Sequence, residues 1–253
     1  VKTIGVLDSG IGGLTFARAI IKKKWNAKLV YISDEDHVPY GDKSTAWLMK
    51  RVEQMIDQLK AQGVDMVLMA CNTMTVHTIE SMRKCFDLPL FGVEPFLNHP
   101  KKYPPTQHEC RSYALILTQA TANASKFQSL KQQLDPENAI DVFVLENLAR
   151  WIQGLSQSNI SQLEPKLYDE IAPLLGKGYT HLILGCTHYA LVGAWLSKAL
   201  NITLVDPTDH VLTFMETQGD IEKGQVENMF QYSANLGKSW QKVTLEEDFD
   251  FVV

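Results

Sequence analysis

Two stretches of this chain carry a cysteine in the same setting. One reads Val64-Asp65-Met66-Val67-Leu68-Met69-Ala70-Cys71-Asn72-Thr73. The other reads Tyr179-Thr180-His181-Leu182-Ile183-Leu184-Gly185-Cys186-Thr187-His188. Each is a short apolar run, a small residue, the cysteine, and then two polar residues. This pattern predicts a strand that ends where a helix begins, with the thiol at the junction. Free backbone N–H groups and the positive end of the helix favour a thiolate there. A single buried cysteine is usually a small hydrophobe. Two in matched settings, about half a chain apart, predict a duplicated architecture that brings one thiol from each half. The chemistry to expect is one that needs two equivalent acid/base groups facing each other across a cleft. Cys85, behind Arg83-Lys84, and Cys110, in an expected loop, read as incidental, and the four spacings fit no zinc pattern.

Other residues can serve such a pair. Asp8-Ser9-Gly10-Ile11-Gly12-Gly13 is a glycine-rich turn between strand and helix. It lacks G-x-G-x-x-G and a Walker lysine, so a phosphate loop fits poorly. The better reading has backbone N–H groups and Ser9 meeting a carboxylate, with Asp8 meeting an amine or orienting an acid/base group. Asp34-Glu35-Asp36-His37-Val38-Pro39-Tyr40-Gly41 follows the second expected strand. Glu35 and Asp36 read as solvated, and Pro39 and Gly41 fix a turn that presents Tyr40-Gly41 to a small ligand. His188, two residues past Cys186, is a candidate partner for a thiol or an acidic proton.

Alternating strand-like and helix-like runs must position these groups. Strands are expected at 3–7, 28–32, 65–70 and 90–93, with helices at 12–23, 44–62 and 73–84 between them. A proline-rich segment, 95–110, interrupts the rhythm. It resumes with strands at 113–117, 140–144, 181–184 and 202–205, and with helices at 120–132, 146–153, 160–175 and 189–200. This is an α/β pattern with mainly parallel sheets and crossover helices. The opening strand of each half ends in small polar groups, Asp8-Ser9 in the first and Thr118 with Thr121 in the second. In open α/β sheets ligands bind at that end. The tail from residue 209 reads as helical and then irregular, packing back on the first half. The expected domains are therefore 1–95 with 209–253, and 96–208.

Composition narrows the function. A net charge of −5 on 253 residues argues against a general nucleic-acid binder. No apolar run approaches the roughly 20 residues of a membrane span. The opening strand is too short for a signal peptide. The expected location is the cytoplasm, where disulfides are rare.

Four motifs in order, Asp8-Ser9-Gly10, Pro39-Tyr40-Gly41, Cys71-Asn72-Thr73 and Gly185-Cys186-Thr187-His188, resemble the cofactor-independent aspartate/glutamate racemase superfamily along the whole chain. The ending Cys-Thr-His resembles its glutamate-specific members, whereas Cys-Thr-Glu is usual for aspartate. The resemblance implies two similar doubly wound α/β domains related by a pseudo-twofold axis, with the active site in the cleft between them. It implies Cys71 and Cys186 as catalytic residues, acting on D- and L-glutamate respectively, with Asp8 and His188 as auxiliaries. It places substrate contacts on Asp8, Ser9, Tyr40, Gly41, Asn72, Thr73, Thr118, Thr121, Thr187 and His188. It implies no cofactor, no metal, glutamate as the small-molecule substrate, no nucleic-acid or membrane partner, and a role in supplying D-glutamate for bacterial peptidoglycan. It leaves a homodimer open. The chain departs from the family pattern in three places. Asp141-Val142-Phe143-Val144-Leu145-Glu146 replaces a Cys-Pro run, so the acidic helper of the second half is not placed. Pro207 stands for a serine, and Met74 for an alanine.

The residues give this reading its mechanism. Inverting a Cα requires a base on one face and an acid on the other, and two thiols can exchange those roles. Pyridoxal phosphate would need a Schiff-base lysine and a phosphate cradle, and no lysine here has that context. Asp8 and His188 are expected to shift the thiol pKa values toward neutrality, each from one side. Ser9, Asn72, Thr73 and Thr187 would hold the α-carboxylate as charge develops. The competing readings are an aspartate or broad-specificity racemase, and a non-catalytic two-lobed protein that binds a dicarboxylic amino acid.

Overall fold

The run from Ile4 to Leu7 is apolar without interruption, as a strand buried on both faces requires. It forms the heart of β1 (Lys2–Asp8), whose last five residues are buried. The computed structural model describes residues 1–104, 112–154, 160–224, 229–233 and 235–244. β2 (Ala27–Ser33), β3 (Met66–Met69) and β4 (Leu90–Gly92) lie parallel to β1 in the order β2-β1-β3-β4. β5 (Tyr113–Leu117), β6 (Ile140–Val144), β7 (His181–Gly185) and β8 (Thr203–Val205) form a second parallel sheet in the order β6-β5-β7-β8. The order is the same, displaced by four strands, so each half repeats one topology.

The crossovers are helical. α1 (Leu14–Lys22), α2 (Thr45–Lys60) and α3 (Asn72–Cys85) serve the first sheet. The short α4 (His99–Lys102) lies in the proline-rich segment. α5 (Gln119–Asn123), α6 (Ser125–Leu134), α7 (Leu148–Gln153), α8 (Ile160–Ile171), α9 (Thr187–Ala190) and α10 (Gly193–Leu200) serve the second. α11 (Thr208–Gly219) returns to pack on α1 and β4.

The period-two alternation of each strand feeds two core layers. Ile4, Val6 and Leu68 pack with Phe16, Ala17 and Ile20 of α1 and with Leu212 and Met215 of α11. Leu7, Val67 and Met69 face the other way, onto Leu48, Val52 and Met55 of α2 and Met74, Ile79 and Met82 of α3. In the second half, Ala114, Ile116, Leu182 and Leu184 meet Leu148, Ile152, Leu167 and Leu196. Leu115, Leu117 and Ile183 meet Phe127. Among the described residues no helix is long and apolar enough to cross a membrane.

The sequence reading needs correction at three helices and in the tail. The helix expected over 120–132 is broken at Ala124, whose backbone is extended, into α5 and α6. The break lets Thr121 and Phe127 both be buried, Thr121 toward the first half and Phe127 under the second sheet. The helix expected over 160–175 gives way after Ile171 to a 3-10 turn, Ala172–Leu174, where Pro173 has no N–H to continue the ladder. The helix expected over 189–200 divides into α9 and α10. The tail is not irregular after its helix. β9 (Met229–Ser233) pairs parallel to β2, and β10 (Gln241–Thr244) pairs antiparallel to β9. The edge of β2 offers unpaired N–H and C=O groups, and that tertiary demand overrides weak local propensity.

Candidate active site

Both cysteines occupy the same structural position. Cys71 follows β3 and caps α3 with extended backbone, φ −140° and ψ 119°. Cys186 follows β7 and caps α9 with φ −149° and ψ 134°. Neither side chain caps its own helix, so each thiol is left for other partners. The two strands are the third members of their halves, which is why the repeated topology puts their C-terminal ends in corresponding places. Cys85 is exposed at the end of α3. Cys110 lies outside the described residues.

On the first half, Asp8 ends β1 and is fully buried. Its Oδ2 accepts the Gly13 N–H at 2.7 Å, and its Oδ1 has no hydrogen-bond partner. Burial raises the Asp8 carboxyl to about 7, against the pull of the Gly13, Ser9 and Gly10 N–H groups and of Cys71. Cys71 Sγ lies 3.5 Å from Ser9 Oγ. Burial, and then the charge of Asp8, pushes the Cys71 thiol up to about 12. Cys186, which keeps a partly exposed surface, is also raised, by its enclosure and then by the charge of Cys71, with Asp8 adding to it. The two sulfurs and the Asp8 carboxylate thus share one electrostatic site. The expectation that Asp8 draws the thiols toward neutrality is overturned, because a carboxylate is a like charge to a thiolate and disfavours it.

His188 is buried, and its Nε2 lies 2.8 Å from Gln153 Oε1. Burial lowers it to about 4, so the ring is neutral at physiological pH and supplies no positive charge to either thiol. The glycine turn of the first half approaches this group closely. A Cβ on Gly10 would come 2.1 Å from Gln153 Oε1, and one on Gly12 would come 2.5 Å from Thr187 Oγ1. At Gly12 the His188 backbone N would also lie 2.8 Å away, so that glycine is required by contact between the halves, whereas a side chain at Gly10 would displace the end of Gln153.

The remaining expected residues divide. Thr73 on α3 meets Thr118 and Thr121 of the second half in a buried triangle of hydroxyls, each pair 3.0 Å apart. Asn72 is buried, and neither end of its carboxamide has a partner. It lines a small cavity with Thr15, Cys186, Thr187 and Thr208. Tyr40 requires a correction. Its ring is in the core, and its hydroxyl donates to Asp34 Oδ2 at 2.6 Å. Asp34 is held in turn by Arg51, whose Nε donates to Oδ2 at 2.8 Å, and by His37. Burial would raise Asp34, but the bonds from Arg51, Tyr40 and His37 outweigh it and hold the carboxyl below its usual value. Gly41, beside Tyr40, is partly exposed, and a Cβ there would have nothing within 4 Å. Of the flanking acids, Asp36 is exposed as read, but Glu35 is half-buried and accepts from the Tyr232 hydroxyl.

Sequence reasoning missed Gln153, Thr15 and Thr208. Thr15 and Thr208, in the first turns of α1 and α11, carry no signal beyond being small and polar. Glu146, in the stretch that replaces the family's Cys-Pro run, is exposed. A larger groove of about 720 Å³ lies elsewhere, at the N-terminal ends of β7 and β8 among Tyr179, Thr180, Asn201 and Thr203, and contains none of these residues.

Two parallel α/β units that each present a strand-end cysteine to a shared electrostatic site define a two-lobed, two-thiol protein. Residues 28–215 match the family described as Asp/Glu/hydantoin racemase, and the chain belongs to that family. It is 32% identical to the glutamate racemase of Cupriavidus pinatubonensis over 87% of this chain and 76% of that one. It is 28% identical to that of Leptospira interrogans over 98% and 93%. Its fold matches the crystal structure of Escherichia coli glutamate racemase with L-glutamate and an activator. The TM-score is 0.75 at 23% identity, covering 91% of this chain and 88% of that one.

Proposed function

We propose that this racemase interconverts L- and D-glutamate without a cofactor and supplies D-glutamate for peptidoglycan in a bacterial cytoplasm. The observation that carries the reading is the pair of cysteines at equivalent strand-to-helix junctions, with Asn72, next to the first, and Cys186 lining one small cavity. Relatives named glutamate racemase support the substrate, as does the Escherichia coli structure with L-glutamate.

In the free protein both cysteines rest as thiols. A substrate ammonium entering the site brings the positive charge that the site lacks, and that charge favours a thiolate. Asp8, poised near 7, is the group that takes the Cys71 proton. The Cys71 thiolate then removes the proton from Cα on one face. The electron pair passes into the α-carboxylate, whose growing charge is met by hydroxyls and N–H groups around Ser9, Asn72, Thr73 and Thr187. The Cys186 thiol returns a proton to the opposite face. The mirror reaction exchanges the roles. Thr118 and Thr121 complete the carboxylate-binding hydroxyls with Thr73, His188 holds a polar group beside Cys186, and the Tyr40-Gly41 turn contributes its backbone.

The test is circular dichroism of L-glutamate with dialysed, chelator-treated protein in deuterated water. The ellipticity should decay to zero while deuterium enters Cα. Unchanged glutamate under these conditions overturns the reading, and faster decay with aspartate overturns the substrate.

A further inference from the structure

Gln153 ends α7 in the second half, and its side-chain oxygen accepts two hydrogen bonds. One comes from the Ile11 backbone N–H in the glycine turn of the first half, at 3.0 Å. The other partner is His188 Nε2, at 2.8 Å. The first bond settles which end of the carboxamide is oxygen, because a backbone N–H can only donate. The oxygen then settles the ring, because it can only accept, so the hydrogen of a neutral His188 is on Nε2. Nδ1 is left as the ring's acceptor, and it lies on the side of Gly12, where a Cβ would stand 2.8 Å from it. Three residues earlier on the same face of α7, Arg150 Nη2 donates to Asp42 Oδ2 at 2.7 Å. One short helix of the second half therefore grips both first-half turns that border the site.

We propose that Gln153 is a positioning residue: bound at once to the first-half turn and to His188, it couples closure of the two halves to the orientation and tautomer of the His188 ring. When the halves part, Ile11 leaves the shared oxygen and the carboxamide is free to turn, so the ring loses its fixed acceptor. An amide does this where an acid would not. A carboxylate at 153 would draw a proton onto the imidazole and remove its acceptor nitrogen, whereas the uncharged oxygen keeps the ring neutral in its buried place.

This role rests on the racemase reading for its consequence but not for its geometry, and the experiment separates the two. Nitrogen-15 NMR of the histidine-labelled protein reports tautomer and titration of His188 without any turnover. His188→Asn assigns the signal. In the wild-type protein His188 should be the neutral Nε2–H form from pH 5.5 to 8.5. Gln153→Met, which keeps length and removes the acceptor, should give a mixture of tautomers. Gln153→Glu should raise the His188 midpoint by at least about one unit, the effect of an adjacent opposite charge. In racemisation assays Gln153→Met should lower kcat by about 5- to 150-fold, the cost of leaving the His188 donor unpaired, with the Ile11 N–H losing its acceptor as well. Its KM should change less, and Gln153→Glu should recover activity only where His188 is again neutral. An Nδ1–H ring in the wild-type protein, or the same tautomer and midpoint in all three proteins, overturns the proposal whether or not glutamate is turned over. If the NMR signature holds and the wild-type protein leaves glutamate unchanged, the positioning stands and the substrate reading falls.

Discussion

The two halves share a topology and differ in what stands beside the thiol. Behind Cys71 is an ionisable carboxylate, Asp8, raised by burial into the physiological range and left with one oxygen unpaired. Beside Cys186 are Thr187 and a neutral His188, tied to an uncharged carboxamide. The glycine turn that bears Asp8 also reaches over to the second half through the Ile11 N–H, whereas the Thr118 turn meets the first half through hydroxyls and through the Ala120 carbonyl, which accepts from His77 Nε2 at 3.1 Å. Repeating a strand-to-helix junction thus supplies two equivalent thiols, while the residues one or two positions away make their surroundings unequal. A reaction that must run in both directions with similar ease needs the thiols alike. It does not need the same helper on each side.

The largest expected effect comes from breaking the pair. Cys71→Ser and Cys186→Ser should each abolish racemisation, since a serine hydroxyl is far too weak an acid to rest as a base near neutral pH. Each variant should still exchange or eliminate from one enantiomer of a β-chlorinated glutamate analogue, and the two should favour opposite enantiomers. Cys85→Ser, altering an exposed thiol at the far end of α3, should match the wild-type rate. Near-normal racemisation in both directions after loss of either central cysteine would show that the halves are not a symmetric pair.

Removing Asp8 sharpens the contrast. Asp8→Asn should slow the Cys71-dependent direction by about 10²- to 10⁴-fold, the usual worth of a positioned acid or base. The same substitution has a pH signature in stability. The folded carboxyl, at about 7, lies above its unfolded value, so the folded state holds a proton that the unfolded state has released. Wild-type stability from this group therefore falls as pH rises from about 4 to 7. Asp8→Asn should gain on the order of a few kcal/mol over wild type at pH 8 and little at pH 4. His188 acts in the opposite sense. Its folded value of about 4 lies below its unfolded one, so its penalty grows as pH falls from about 6.5 toward 4. Urea denaturation at pH 4.5 and 8 checks both signs. Equal gains for Asp8→Asn at the two pH values would mean that Asp8 is not held protonated by the fold.

What the sequence displayed follows from how local each signal is. Asp8, Cys71 and Cys186 were legible because a buried strand, a small residue and a polar helix start are consecutive in the chain. The repeat of the strand-to-helix pattern was legible for the same reason, whereas the order of the strands was not. The direction of Tyr40 was not. Its turn is written in Pro39 and Gly41, but its hydroxyl is claimed by Asp34 and Arg51, and Arg51 is 17 residues from Asp34. Gln153 was invisible because a lone glutamine on an amphipathic helix has no pattern, and its partners are 142 and 35 residues away. β9 was hidden because five residues of mixed character become a strand only against the open edge of β2. The effect of Asp8 on the thiols is opposite in sign to the expectation, since its proximity was foreseen but its charge, like that of a thiolate, disfavours one.

The smallest effect worth measuring concerns the hydroxyl triangle, to which the first half contributes one vertex and the second half two. Thr121→Val removes one vertex with nearly the same shape and leaves Thr73 and Thr118 bonded to each other at 3.0 Å. The expected cost is about 2 kcal/mol, two net buried hydrogen bonds. Thr118→Val removes a different vertex and also the cap of α5, because Thr118 Oγ1 accepts the Thr121 N–H at 3.3 Å. A lost cap adds roughly 0.5–2 kcal/mol. Thr118→Val should therefore be the more destabilising of the two in urea, by about 1 kcal/mol. α3 has no comparable term, since Cys71 caps it without a side-chain bond. A thiol reserved for chemistry cannot also cap its helix, so the start of α3 must be held by its packing against Leu48, Val52 and Met55, whereas Thr118, which follows an opening strand, is free to stabilise the start of α5. Equal costs for the two valine variants would mean that the cap contributes nothing and that the second half holds its polar vertex by packing alone, as the first half does.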